Sequence, residues 1–171
     1  MTDTSGEAAA LATVRRPAHR VSPKARWVWL ISAAIGWLFL LVPLGLAAAL
    51  IPEAPTALRA GTIALAVAAI AFCLVMPHWR YRVHRWEVTE GAVYTRTGWL
   101  TQTSRVAPIS RVQTVDSHFG PLERAFGLGT MKVTTASAHG AVEVAGLPRH
   151  QVEELVARLT TVTSRDSGDA T

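Results

Sequence analysis

From Trp27 to Ile51 the chain reads WVWLISAAIGWLFLLVPLGLAAALI with no charged residue, a length that crosses a hydrocarbon layer of about 30 Å with some tilt. A second uncharged run, AGTIALAVAAIAFCLVM, occupies 60–76. The Pro-marked segment PEAPTALR between them predicts a tight turn, so 27–51 and 60–76 form a transmembrane helical hairpin over 27–76. A cleaved signal peptide is the competing reading of the first run, but the apolar core of a signal is usually ~7–15 residues, which favours an uncleaved anchor. Pro43 lies within the first span, where a neighbouring helix can satisfy the freed carbonyl. Gly61, Ala64, Ala68 and Ala71 recur at near-helical spacing; they either let two backbones approach in lipid or reflect an Ala-rich composition.

Beyond the second run the pattern changes to polar–apolar alternation. RWEVTEGAVYTRTGWLTQTSRVAPISRVQTVD predicts consecutive strands, with Glu90-Gly91 as a hairpin turn, Gly98 as a break and Pro108 as an edge or bend. The facing of the strand around Val112, Gln113 and Val115 is ambiguous. FGPLERAFGLG leaves the strand period: Leu122 and Phe126 stand four apart and two glycines follow, which predicts a short helix. MKVTTAS and AVEVAGL predict two more strands around a turn at His139-Gly140. PRHQVEELVARLTTV closes the pattern with Pro148 at a helix start and Val152, Leu155, Val156, Leu159 and Val162 on one stripe. Residues 1–26 are expected to be a disordered basic segment, 80–163 a small folded domain, and 164–171 a disordered tail.

Composition adds a location. The net charge of +5 and an isoelectric point near 10.3 fit either nucleic acid or an acidic membrane surface, and charge placement favours the membrane. Arg15, Arg16, Arg20, Lys24 and Arg26 precede the first run, Arg80, Arg82 and Arg85 follow the second, and Glu53 and Arg59 between them cancel. The positive-inside rule then puts both termini in the cytoplasm, on a multi-pass membrane protein. Trp27, Trp29 and Trp79 are expected at the same interface as Arg80, Arg82 and Arg85, where indole rings anchor at headgroup depth. The single Cys73 lies in an apolar run, so neither a disulfide framework nor a thiolate zinc site is expected.

Several antiparallel strands and one terminal helix describe a mainly-β (α+β), partly open barrel. In APISRVQTVDSHFGPLERAFGLGTMKVTTAS a Pro precedes Arg and Gln bracketing an apolar residue, then come Val-Asp, a short helix with Arg, a Gly-x-Gly and a Val-rich strand. With Pro108, Arg111, Gln113, Val115, Asp116, Arg124, Gly127 and Gly129 in these places, the stretch resembles the signature of bacterial pleckstrin-homology-like membrane proteins, the YdbS-like family. The resemblance covers Tyr81 to about Thr163 and extends to the two preceding spans. It implies a pleckstrin-homology-like fold, a place in the bacterial plasma (inner) membrane and membership of larger membrane assemblies, whose members often carry more than one such domain; no reaction is attached to the family.

Candidate chemistry is sparse. Asp116, Ser117 and His118 have the residue types of a hydrolase triad, but adjacent side chains in an extended chain point to opposite faces and cannot relay a proton. Gly127-Leu128-Gly129-Thr130 lacks the glycine spacing and Lys-Ser/Thr pair of a P-loop; a helix C-cap and a close approach to the next strand explain the glycines better. The His residues form no ligand pair, carboxylates do not cluster, and neither an enzymatic activity nor a cofactor or metal is expected. Two functions remain open. One is an interaction or scaffold module at the cytoplasmic membrane face, whose partners are the lipid bilayer and other membrane proteins, PH-like relatives among them. The other is sensing of an anionic lipid or ligand through Arg105, Arg111 and Arg124, if these converge rather than pair with Asp116 and Glu123, or through the basic residues after the second span. Nucleic acid is disfavoured for want of an aromatic-basic surface pattern. Oligomeric state is not readable.

Overall fold

A computed structural model describes residues 16–53, 55–136 and 140–168. The chain divides into two compact units: Arg26–Trp79, and a second made of the segment up to Ala25 together with Arg80 onward.

The first unit is a pair of helices. Helix α1 spans Ala25–Leu50 and includes Pro43, as the apolar pattern predicts. Helix α2 spans Thr56–Val83, starting before and ending well beyond the expected 60–76. Pro77 does not end it but is buried within it. The His78 ring Nδ1 lies 2.9 Å from the Leu74 carbonyl just upstream. At the other end, Arg59 Nε donates to the Ala48 carbonyl at 3.2 Å, closing the hairpin. Both helices are long and apolar enough to cross a bilayer. They also leave large side chains uncovered, with Phe39 81% and Ile63 66% exposed; apolar patches of that extent require a lipid or protein partner.

The expected small-residue face does not mediate the helix contact. Gly61, Ala64, Ala68 and Ala71 are all exposed, and a Cβ built on Gly61 meets nothing within 4 Å. The covered positions of α2 are instead those around Ala69, and the Trp37 and Phe72 rings meet edge-on at 6.0 Å.

The second unit is built from two antiparallel sheets, a short helix α3 (Pro121–Phe126) and a longer C-terminal helix. The first sheet has the order β1-β2-β3-β4, with β1 at His19–Arg20, β2 at Arg85–Val88, β3 at Ala92–Gly98 and β4 at Gln102–Pro108. The β2–β3 hairpin turns at Glu90-Gly91 as expected, and Thr89 closes it: its Oγ1 donates to the Ala92 carbonyl at 3.1 Å and accepts from the Ala92 N–H at 3.2 Å. A 3-10 turn at Ile109–Arg111 then switches the chain into the second sheet, β5-β6-β7, formed by Val112–His118, Leu128–Thr135 and Val142–Pro148. The sheets do not close into a barrel, so the partly open form is the observed one. The turn between β6 and β7 expected at His139-Gly140 lies partly outside the described residues.

Alternation positions the core. On β6 and β7, Met131, Val133, Val144 and Leu147 face inward, while the cross-strand pair Lys132 and Glu143 faces solvent at 3.4 Å. Gly146 interrupts the register opposite Gly129 and Thr130, with φ of 78°, the geometry of a glycine β-bulge. Helix α4 (Arg149–Gly168) lays Val152, Leu155 and Leu159 on this second sheet. It runs past the expected end at Val162, into the segment expected to be a disordered tail.

The segment before α1 departs from expectation. Rather than being wholly disordered, it pairs as β1 with β2, buries Val21 at 3% exposure, and donates the Ser22 N–H to the Gly146 carbonyl at 2.9 Å. The folded domain is therefore discontinuous in sequence, with the helical hairpin inserted between its first strand and its second.

Candidate functional site

The signature stretch has a structural explanation. Helix α3 (Pro121–Phe126) ends at Gly127, whose φ of 67° is the left-handed C-cap that glycine supplies without strain. At its start Glu123 Oε2 accepts the Gly120 N–H at 2.9 Å, and Glu123 Oε1 accepts the Thr130 hydroxyl at 2.7 Å, tying helix to strand. Gly129 lies under the Phe119 ring: a Cβ there would stand 2.5 Å from the ring edge. The Arg149 guanidinium covers the same ring at 5.3 Å and holds Glu153 at 2.9 Å. Asp116, Ser117 and His118 are consecutive exposed residues of β5, and Asp116 accepts the Thr114 hydroxyl at 3.3 Å.

The expected binding arginines are placed apart. Arg105 is on β4 and donates to the Ala141 carbonyl at 2.8 Å; Arg111 ends the 3-10 turn and Arg124 lies on α3. All three are exposed, and no hydrogen bond joins them among the described residues. Pairing of Arg111 and Arg124 with Asp116 and Glu123 is not what the side chains do: Glu123 is taken up by Gly120 and Thr130. At the expected interface, Trp27 and Trp79 are exposed while Trp29 is buried. Two positions along a helix are about 200° of rotation apart, so neighbouring tryptophans cannot share one face.

Two other features stand out. The first is the outer edge of β5, which ends its sheet with no strand beside it among the described residues. Between Gln113 and His118 only Val115 is even partly covered, although α4 packs against the strand on one face.

The second is a cluster of arginines on the first sheet. Strand register places Arg85 opposite Arg20 on one side and opposite Arg96 on the other, and directly opposed residues share a face. At the same end of the sheet, Arg16, Arg82, Arg85, Arg96 and Gln102 line a cleft of about 160 Å³ with Val83. Arg96 Nε donates to Gln102 Oε1 at 3.2 Å and Arg85 reaches the Pro17 carbonyl at 3.5 Å. Among the described residues none of these four arginines is ion-paired with a carboxylate. Glu87, the carboxylate of β2, accepts the Ala18 N–H at 3.0 Å. Arg82 and Arg85 carried a membrane-interface expectation; Arg16, Arg96 and Gln102 carried none. The pairing of Arg85 with Arg96 was nevertheless implicit in the two-residue turn at Glu90-Gly91, which fixes the register of β2 on β3.

In the chain between Val83 and Arg85, His84 is buried at 5% exposure. Burial, and secondarily the Arg80 charge, depress its imidazole to about 4 against a smaller opposing effect of the Arg80 backbone, so the ring is neutral at pH 7.

Comparison with known proteins places the chain. The bacterial PH domain family model matches residues 11–162, a range that takes in β1, both apolar helices and the two sheets. The transmembrane protein YdbS of Bacillus subtilis (strain 168) is 32% identical over 103 residues, 57% of this chain. The match covers 62% of that relative's length. No solved structure matches the chain significantly. With a two-sheet domain interrupted in sequence by a pair of apolar helices and one family model matching residues 11–162, the chain belongs to the bacterial PH domain family.

Proposed function

We propose that this chain is a membrane-anchored, non-enzymatic interaction module at the cytoplasmic face of a bacterial plasma membrane, docking other membrane proteins by adding a strand to β5. The open edge of β5 carries this reading. An exposed edge is a template for pairing, and proteins that do not use one blunt it with charge, proline or a bulge. The other long edge of the first sheet, β4, has Arg105 and ends at Pro108. On β5 the protections are a register shift near its start, between Val112 and Thr114, and the one charged residue Asp116. An extended segment of a partner, including a PH-like relative or a second copy, gains main-chain hydrogen bonds there, and alternate side chains supply selectivity.

The location is supported by two independent observations. Basic residues flank both apolar helices on their outer ends, which favours the cytoplasm for both flanks. Pairing of β1 with β2 requires the chain before the first helix and after the second to lie on one side, as two crossings provide.

A photo-crosslinking residue at Ser117 in the full-length protein in cells tests the docking edge, with the same residue at exposed Thr160 on α4 as the reference position. A discrete membrane-protein adduct specific to position 117 is expected. Identical product patterns at 117 and 160 would refute docking at β5.

A further inference from the structure

We propose that β5 pairs antiparallel with β5 of a second copy of this chain, Val115 facing Val115, so that two three-stranded sheets join edge to edge. The inference rests on docking at β5 and names the occupant of that edge.

The cross-strand rows of the second sheet lead to this edge. Val142, Val133 and Val115 lie opposite one another on β7, β6 and β5, and opposed residues share a face. Val142 and Val133 are buried, whereas Val115 is only partly covered, so the valine row stops at the edge with its last member half finished. A second Val115 set opposite continues the row into the other copy, and β-branched side chains pack well against such neighbours on a pleated surface. The row beside it, Glu143, Lys132 and Asp116, alternates in sign on the solvent face.

Charge and facing choose the register. Two identical antiparallel strands keep buried face beside buried face only when the pairing is centred on a residue, because a one-residue slip turns every side chain over. Centring on Asp116 sets two carboxylates directly opposite, which is destabilising. Centring on Thr114 brings the irregular segment between Val112 and Thr114 into the middle of the pairing. Centring on Val115 sets Asp116 of each copy opposite Thr114 of the other and Gln113 opposite Ser117, with no like charges opposed. Asp116 already accepts the Thr114 hydroxyl of its own strand at 3.3 Å and gains a second hydroxyl of the same kind across the axis, while Lys132 stays opposite it on β6. The contact is isologous and closes at two copies. Its two-fold axis stands perpendicular to the sheet, so both α4 helices, which pack on β5, lie over the same face.

Disulfide crosslinking of the full-length protein in isolated membranes reads this register. Variants are made in a C73A background, oxidised, and scored for a product of twice the 18.4 kDa chain mass on non-reducing gels. Directly opposed residues of an antiparallel pair have Cα atoms about 4.5–5.5 Å apart, within reach of a disulfide. Diagonal neighbours, about 7–8 Å apart, are out of reach without backbone movement. V115C is therefore expected to crosslink to itself, and T114C to a differently tagged D116C expressed with it, whereas D116C alone and T160C on α4 alone should stay monomeric. Thr114 and Asp116 are exposed, so their pair reports the register even if V115C folds poorly. Absence of both expected products, or a D116C homodimer as abundant as the T114C–D116C product, would overturn self-pairing. The photo-crosslinker at Ser117 separates this inference from the reading beneath it. An adduct made only of this chain supports the second copy. A specific adduct with a different membrane protein and no V115C or T114C–D116C product would overturn self-pairing and leave docking at β5 standing, whereas identical products at 117 and 160 would remove both.

Discussion

Replacing Gly129 by alanine tests whether the Gly-x-Gly of the signature is a packing device. The added Cβ would stand 2.5 and 2.6 Å from two carbons of the Phe119 ring and 3.3 Å from the His118 carbonyl oxygen. Carbon atoms rest at about 3.5–4.0 Å, so the ring must retreat by about 1 Å or the strand must shift. The ring is not free to do so without loss, because Arg149 covers it at 5.3 Å and the Arg149 N–H is bonded to the Gly127 carbonyl at 3.0 Å. Overpacking of this kind costs about 1–3 kcal/mol, and disturbing an exposed cation–π contact adds about 0.5–1 kcal/mol. A sum of roughly 2–4 kcal/mol is a large fraction of the stability of a small domain. Unfolding of G129A in detergent, followed by thermal melting or pulse proteolysis, should show the loss. F119A should recover part of it in the double variant F119A/G129A, because the clash needs both partners. Wild-type stability for G129A, or strictly additive effects in the double variant, would refute the packing explanation.

Other perturbations separate the contributions of single groups. His84 is held neutral by burial and by Arg80, with its folded value near 4 below the ordinary 6.5. As pH falls below 6.5 the unfolded chain takes the proton first; stability should decline by up to about 3 kcal/mol between pH 6.5 and 4 and stop declining from this group below that. In H84Q that component of the pH dependence should vanish, and a slope identical to wild type would contradict it. E123A removes the acceptor of both the Gly120 N–H and the Thr130 hydroxyl and should cost about 2–4 kcal/mol, with E123Q recovering part of it; an effect below about 0.5 kcal/mol in a melting experiment would rule out that tie. K132A breaks only the half-exposed pair with Glu143, and unfolding measurements should show a change of about 1 kcal/mol or less, smaller still in high salt.

Legibility followed the strength of the local signal. Uncharged runs made the two apolar helices plain, and alternation with a Glu90-Gly91 turn made the hairpin plain, because burial and turn chemistry act within a few residues. The end of α2 was not visible, since the uncharged run stops at Met76 while the helix continues through Pro77 to Val83. Strand β1 left no trace at all: two residues, His19 and Arg20, cannot display a period, and their pairing with Arg85 and Trp86 spans the whole helical insertion. The arginine cleft was half-visible for the same reason. Arg85 and Arg96 are related by a local turn, whereas Arg16 and Arg82 reach them only through tertiary structure. The Gly61, Ala64, Ala68 and Ala71 row was a true sequence pattern with no local information about which face a neighbouring helix would cover.

Single-cysteine labelling in intact cells tests the anchored, cytoplasmic placement most directly. In a C73A background, a cysteine at Glu53, between the two apolar helices, and one at Ser117, on β5, are exposed in turn to a membrane-impermeant maleimide from outside. Two crossings with a cytoplasmic domain require rapid labelling at 53 and labelling at 117 only after the membrane is opened. Outside labelling at 117 with protection at 53 would invert the topology, and equal labelling of both in intact cells would contradict a membrane-crossing hairpin altogether.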